Sequence, residues 1–277
     1  MMVMHNIEEE SSTAPRFPVA TGWPDTRHAA LTVFVVADRF AVFAEGTSVT
    51  TWSELVERIA RDELSGPVRL LAGQGVSRRD WAWLGDRVTA SCDEDVVLGP
   101  LPPEPLYRGD TLNQRQANVL IGDLCRIAED RWACELVIGD DTELIQDHTA
   151  LRQHIPGMLL MEATCQMYIA VTSRVVDARW PDIDFYMVMQ RFRIEFDRYV
   201  FPLPAQLLMS VTSDRSREDR VRFNMSVTIE QAGHTCARAS WSCQRIVRDT
   251  IYAIENHRAC QTLAAATQPV RTQEVTA

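Results

Sequence analysis

The segment PGMLLMEATCQMYIAVTSRVVD, residues 156–177, is apolar on nearly every side when its first turns are wound as a helix. A helix with no polar face to offer solvent must be enclosed by the rest of its domain. Its length would suffice to cross a bilayer, but Glu162, Gln166 and Arg174 interrupt it and strand-like stretches flank it, so a membrane span is excluded. Working outward, ANVLIGDLCRIA (117–128) and RWACELVIG (131–139) read as strands before the helix. Further strands are expected near 184–200, 204–213, 219–230 and 235–247. The pattern is a sheet interrupted by one helix.

Further upstream the order changes. LGPLPPEPLY, residues 98–107, is a Pro-rich connector whose stiffness marks a boundary. Before it, strand-like TVFVVADRFAVFA (32–44) leads to TWSELVERIARDEL, where Thr51 and Glu54 have capping-box spacing. The alternation repeats through PVRLLAG (67–73), SRRDWAWLGDRVTA (77–90, with Ser77 and Asp80 at capping distance) and DVVLG (95–99). Alternating strands and helices predict a small α/β module. The expected organisation is a disordered arm at 1–20, the α/β module at 21–100, a linker at 101–107, the sheet-and-helix domain at 108–250, and a short helix with a disordered tail at 251–277.

Composition removes whole classes of function. All 28 basic residues are Arg, and without Lys no Schiff base, pyridoxal phosphate attachment or Walker lysine is available. A net charge of -10 and scattered arginines argue against nucleic acid as a partner. GQGV (73–76) is a Gly-containing turn after a strand, but it lacks the G-x-G-x-x-G pattern of a dinucleotide site. The seven cysteines include no C-x-x-C pair and several fall among apolar residues, which reads as reduced and structural. The first ten residues carry no basic, apolar signal segment, so a cytoplasmic location is expected.

Glu162 is the residue that calls for an explanation. A carboxylate inside an apolar helix must be paired, neutralised or used. It is either a buried acid satisfied by an arginine or backbone group, or a functional one. Gln166 lies one turn further along the same face, and the helix opens with Pro156 in its first turn followed by Gly157, leaving N–H groups and the positive dipole end at that terminus. His148 and His154 sit in DHTALRQHIPG, an irregular segment rich enough in polar groups to line a cleft, though a loop histidine is commonly a surface residue. Two histidines beside Asp147 fit no zinc spacing, so no metal is expected.

His148 eight positions before Pro156-Gly157, followed by Glu162-Ala163 and Gln166, resembles the motif of hotdog-fold 3-hydroxyacyl-ACP dehydratases, in which the His and the Glu are the catalytic pair. Phe196, Arg198, Val200, Pro202 and Leu207 look like the strand and turn that follow the central helix in those enzymes. A closer resemblance is to the A-factor biosynthesis hotdog family, of γ-butyrolactone synthase type, carried by NVLIG (118–122), Asp147-His148 and HIPGMLLMEA with Gln166. It covers roughly 107–248. That family usually carries two hotdog repeats, whereas the front of this chain reads as a different module. The dehydratase histidine is followed by Phe-Pro-Gly, and here by Thr149, Ala150 and Leu151.

The resemblance implies an α+β fold: a C-terminal hotdog, an antiparallel sheet wrapped around one long central helix, preceded by the small α/β module. It implies a homodimer and an acyl thioester substrate on an acyl carrier protein or coenzyme A, with no cofactor. His148 would be the general base and Glu162 would exchange a proton with the substrate oxygen. The Gly157 N–H would bind the thioester carbonyl, Gln166 would position Glu162 or a water, and His154 would shape the start of the helix or touch substrate. Butyrolactone synthases also use a three-carbon phosphate, which only Arg could hold in this chain; Arg152 and Arg198 are the candidates. Three readings stay open: an acyl transfer or dehydration enzyme of specialised metabolism or butyrolactone-type signal synthesis, a dehydratase proper, and a non-catalytic acyl-binding or interaction protein.

Overall fold

Each of the two halves builds its own sheet, in a computed structural model that describes residues 31–45, 48–64, 67–90, 95–146, 153–217 and 219–267. The expected disordered arm (1–20), the end of the tail, His148 and Arg152 lie outside the described residues. In the front half, β1 (Leu31–Val36), β2 (Val49–Thr51), β3 (Val68–Ala72) and β4 (Val96–Leu98) run parallel in the order β2-β1-β3-β4. Helices α1 (Ala41–Ala44), α2 (Trp52–Ala60) and α3 (Arg78–Ala90) alternate with them. The capping signals act as read: Thr51 Oγ1 accepts from Glu54 N–H at 3.3 Å, and Ser77 Oγ accepts from Asp80 N–H at 3.1 Å. The module has a small core of its own, with Leu55, Leu70, Trp81 and Leu84 at its centre.

One strand is shorter than its sequence suggests. The run through Ala44 breaks after Val36, where a 3-10 turn starts at Asp38 and α1 follows. Asp38 is held by Ser53, whose backbone N–H and hydroxyl both donate to its carboxylate, at 2.9 and 2.5 Å. A local side-chain bond thus overrides the β-branched propensity of the segment.

The second half is a six-stranded antiparallel sheet around a central helix. Strands β5 (Ile121–Arg126), β6 (Arg131–Leu136), β7 (Phe185–Phe196), β8 (Gln206–Arg217), β9 (Arg220–Gln231) and β10 (His234–Val247) lie in the order β5-β6-β8-β9-β10-β7. A one-turn helix, α4 (Glu143–Gln146), precedes the long central helix α5 (Gly157–Arg179). Along β9 the residues Val221, Phe223, Met225, Val227 and Ile229 are buried, while Arg222, Asn224 and Ser226 face outward. One face of the sheet therefore lies on α5 and the other meets water. Buried α5 residues from Leu159 to Val176 complete this core. The last helix, α6 (Arg248–Ala266), has nineteen residues, longer than the short helix expected, and of these only Ile251 is buried among the described residues.

The Pro-rich connector is a covering for the sheet edge. Leu106 N–H donates to Ile121 O at 3.0 Å and Asp123 N–H donates to Glu104 O at 3.1 Å, so the connector pairs with β5. At the other end of the sheet, the outer edge of β7 has no strand beside it among the described residues.

The GQGV turn joins the halves. Gln74, 6% exposed, donates from Nε2 to Leu136 O at 3.1 Å and Leu203 O at 3.2 Å, while its Oε1 accepts from Ile138 N–H at 2.8 Å. Its backbone N–H donates to Pro202 O at 3.0 Å and its carbonyl accepts from Ala37 N–H. This turn sits at the carboxyl ends of β1 and β3, where the strand order of a parallel sheet reverses and where such sheets commonly bind ligands. Here the second domain covers that point, and Val36, Ala37 and Phe40 join the larger core.

Gln74→Ala leaves a backbone donor and two carbonyls of the second domain without their partner, a loss of about 2–4 kcal/mol. Urea titration of the variant is expected to show a lower midpoint by that amount; an unchanged midpoint would mean that the joint carries no stability.

Candidate functional site

Glu162 and Gln166 lie one turn apart on α5, a spacing that brings their side chains together. Gln166 is fully buried and uses its whole amide. Its Nε2 donates to Glu162 Oε1 at 2.9 Å and to Asn118 O at 2.8 Å, and its Oε1 accepts from Leu120 N–H at 2.7 Å. The amide thus ties the helix to the segment leading into β5 and orients the Glu162 carboxylate, which is half-buried. Asn118, named by the sequence only within NVLIG, also accepts Glu143 N–H at 3.0 Å and so fixes α4 beside the site.

Glu162 opens onto a groove of about 340 Å³ lined by Leu144, Met158, Met161, Met189, Phe192 and Trp241, together with Cys165. Two of those side chains are largely exposed, Met158 at 59% and Met189 at 55%. Glu162 and Cys165 supply a carboxylate and a thiol to this otherwise largely apolar wall. Burial, and secondarily the Glu162 charge, pushes the Cys165 thiol up to about 11, so it stays protonated at neutral pH and is no nucleophile.

The start of α5 lies beside the groove. Pro156 takes the N-cap position, one residue before the first-turn place expected for it, and Gly157 is the first helical residue. A Cβ on Gly157 would come within 3.1 Å of the Phe196 ring, so a larger residue there would make that ring give by a few tenths of an ångström. In this first turn Leu159 N–H donates to Pro156 O at 3.0 Å, while the Gly157 and Met158 N–H groups precede any intrahelical acceptor. His154 stacks on Tyr199 with ring centroids 4.6 Å apart, and Ile155 N–H donates to Val200 O at 2.7 Å, which pins the chain before the helix to the segment after β7.

Arg198 lies beyond the strand expected to run to 200: β7 ends at Phe196, and Arg198 is exposed in the following segment, where its backbone N–H donates to Cys236 O at 3.0 Å. Asp197 pairs with Arg238 and Glu195 with Arg193. Arg198 therefore sits next to Tyr199 on the same rim as His154. The structure brings together Glu162, Gln166 and Gly157 on α5, with His154 and Arg198 at its start; His148 and Arg152 lie outside the described residues. Among the described residues no cluster of His, Cys, Asp or Glu has a metal-binding arrangement. Sequence reasoning missed Trp241 and Phe192, whose only signal was their aromatic character inside strand-like stretches.

The cysteines give a direct check. Cys134 and Cys236 are raised by burial, and Cys243, like Cys165, reaches about 11, whereas Cys125 and Cys260 are exposed. At pH 8 a thiol of pKa near 11 is roughly one-thousandth thiolate. Peptide mapping after brief iodoacetamide treatment should find Cys125 and Cys260 alkylated and Cys165 and Cys243 intact; rapid labelling of Cys165 would contradict this geometry.

No curated protein matches the chain. Among solved structures, a dehydratase heterocomplex from Xenorhabdus doucetiae aligns at 15% identity over 55% of this chain and 99% of its own, with a TM-score of 0.40. A conserved protein from Pseudomonas aeruginosa aligns at 12% identity over 51% of this chain and 100% of its own, with a TM-score of 0.36. A mutant thioesterase from the same organism aligns at 8% identity over 48% and 87%, with a TM-score of 0.34. Residues 113–246 match the model of the A-factor biosynthesis hotdog domain. That span holds the sheet, the central helix and the Glu162 groove, and none of the four parallel strands of the front module. Over that span the chain is similar to the A-factor biosynthesis hotdog domain.

Proposed function

We propose that the chain is an enzyme acting on an acyl thioester carried by an acyl carrier protein or coenzyme A, in specialised metabolism or butyrolactone-type signal synthesis. The observation that carries this reading is a carboxylate, Glu162, oriented by a buried amide and opening onto an apolar groove next to a helix N-terminus. An acyl chain suits the groove, and a thioester carbonyl at Gly157 would meet backbone N–H groups and the positive dipole end, which stabilise negative charge on that oxygen.

Two reactions use this arrangement. In dehydration, His148 takes the proton next to the carbonyl and Glu162 delivers a proton to the departing hydroxyl, which leaves as water. In acyl transfer, one of the pair takes the proton from an attacking hydroxyl as its oxygen bonds the thioester carbon and the thiol leaves. A phosphate on a three-carbon acceptor would need Arg152 or Arg198. Of the two, Arg198 directly precedes Tyr199, the residue that stacks on His154.

The family match and the ordered Glu162–Gln166 pair favour acyl transfer or dehydration over simple acyl binding. Intact-mass analysis of an acyl-carrier thioester incubated with the protein, with and without dihydroxyacetone phosphate, separates them. Loss of water marks dehydration, loss of the acyl group marks transfer, and no change would overturn the enzymatic reading.

The residue roles have their own outcomes. Glu162→Gln keeps the accepting oxygen but cannot move a proton, so turnover should fall by about 10²- to 10⁴-fold with the fold intact. His148→Ala should lower kcat strongly, and His154→Ala should raise KM or destabilise the segment before α5. If His154→Ala were the dead variant and His148→Ala active, the base would have to be placed at 154.

A homodimer is proposed through β7. Among the described residues no strand pairs with its outer edge, and Tyr186, Met189 and Phe196 on it are exposed. Such an edge is a template for another strand. Light scattering at micromolar concentration should give twice the mass of the chain; a monomer would overturn the pairing through β7.

A further inference from the structure

A second cavity, of about 590 Å³, lies between the two halves and shares no lining residue with the Glu162 groove. One wall is the turn after β3 with the start of α3, from Ala72 to Asp80, and another is the end of β6 with the loop beyond it, from Glu135 to Asp141. The connector closes a third side through Pro102 to Pro105. The cavity is therefore at once a domain interface and the crevice at the carboxyl end of a parallel strand, two places where small-molecule sites gather. Its volume suits such a ligand.

The charges on the lining decide what kind. Among the described residues five carboxylates line the cavity (Asp80, Glu104, Glu135, Asp140 and Asp141) against two arginines, Arg78 and Arg79. The start of α3 offers little to an anion, because Asp80 stands in its first turn and accepts from the Ser77 hydroxyl at 2.6 Å. Glu104 pairs with Arg78 at 3.0 Å and Asp140 with Arg39 at 2.8 Å. Glu135 differs. It projects from the face of β6 opposite Cys134 and Leu136, which are buried in the core, and is itself half-buried. Its Oε1 accepts from Gln206 Nε2 at 3.1 Å, a neutral partner. Burial raises its pKa more than that hydrogen bond lowers it, and the charge of Asp123, another acid, adds to the rise. Around it the lining is largely apolar, with Pro102, Pro103, Pro105, Pro204, Val76 and Val137. A carboxylate short of solvent on an apolar wall is complemented by a cation on an apolar body.

We propose that this cavity binds a small organic amine in its ammonium form, with the charge on Glu135 and the apolar body against the prolines. The site is separate from the Glu162 groove, and the proposal does not depend on that groove being an acyl site.

Calorimetric titration of the full chain at neutral pH with 2-(4-bromophenyl)ethylamine and with 2-(4-bromophenyl)ethanol, the same shape with a hydroxyl in place of the ammonium, tests it. The amine should bind about tenfold more tightly. Glu135→Gln keeps an acceptor for Gln206 and removes the charge; it should weaken amine binding by about tenfold and leave the alcohol within about twofold of the wild type. Glu162→Gln should bind the amine as the wild type does. A wild-type crystal grown with the amine should place the bromine, located by its anomalous scattering, in the cavity between Glu135 and the connector, a readout that does not depend on a variant folding. No binding of the amine, equal affinities for amine and alcohol, a loss in Glu162→Gln instead of Glu135→Gln, or a bromine seated elsewhere would overturn the proposal.

Discussion

The buried amide of Gln166 is the constraint on which the site depends. A side-chain amide in the interior must satisfy two donors and an acceptor, and here the partners are a carbonyl and an N–H from the approach to β5 and the carboxylate of Glu162. One side chain therefore sets the register of the central helix against the sheet and the direction of the acid. The apolar wrapping of α5 supplies most of the burial, but hydrophobic contact is non-directional and would tolerate a small slip of the helix. The three bonds of Gln166 would not.

Much of this was legible in the sequence for physical reasons. An all-round apolar helix between alternating strands has few ways to be buried, and the Glu162–Gln166 pair follows from helical spacing alone. The long strands β8 to β10 alternate cleanly because one face is wet and the other dry. Harder to see were contacts between distant segments. Nothing in the text of the chain marks Gln74 as the joint between domains, since its partners lie 62 to 129 positions away. The packing of Trp241 against Tyr168 and Phe192 likewise needs β7 and α5 to be placed first. Short elements failed differently: β2 has three residues and merges with the cap of α2, and Asp38 ended β1 through a bond to Ser53 that propensity does not encode.

The front module meets the second domain at the carboxyl ends of its central strands. In a parallel sheet of order β2-β1-β3-β4, the crevice at the carboxyl ends of β1 and β3 is the natural ligand position. Gln74 and the backbone around Pro202 take up part of it, where a Cβ on Gly73 would come within 2.6 Å of Pro202 O, and beside them a cavity of about 590 Å³ stays open against residues 135–141. The close approach that glycine allows serves a protein surface here, and the module acts as a buttress for the loop between β7 and β8. That loop includes Tyr199 and Val200, the residues that steady His154 and Ile155 ahead of the central helix.

The connector at 101–107 has a bearing on how copies of the chain can join. By lying along β5, it closes one end of the six-stranded sheet with the chain's own backbone, while the β7 end stays open. A sheet with two open ends can recruit neighbours at both and grow without limit, the geometry of fibres. With one end closed, this sheet keeps a single joining edge among the described residues, and two such edges meeting about a two-fold axis would leave nothing further of it to extend. Growth of this sheet by extension would then stop at a pair.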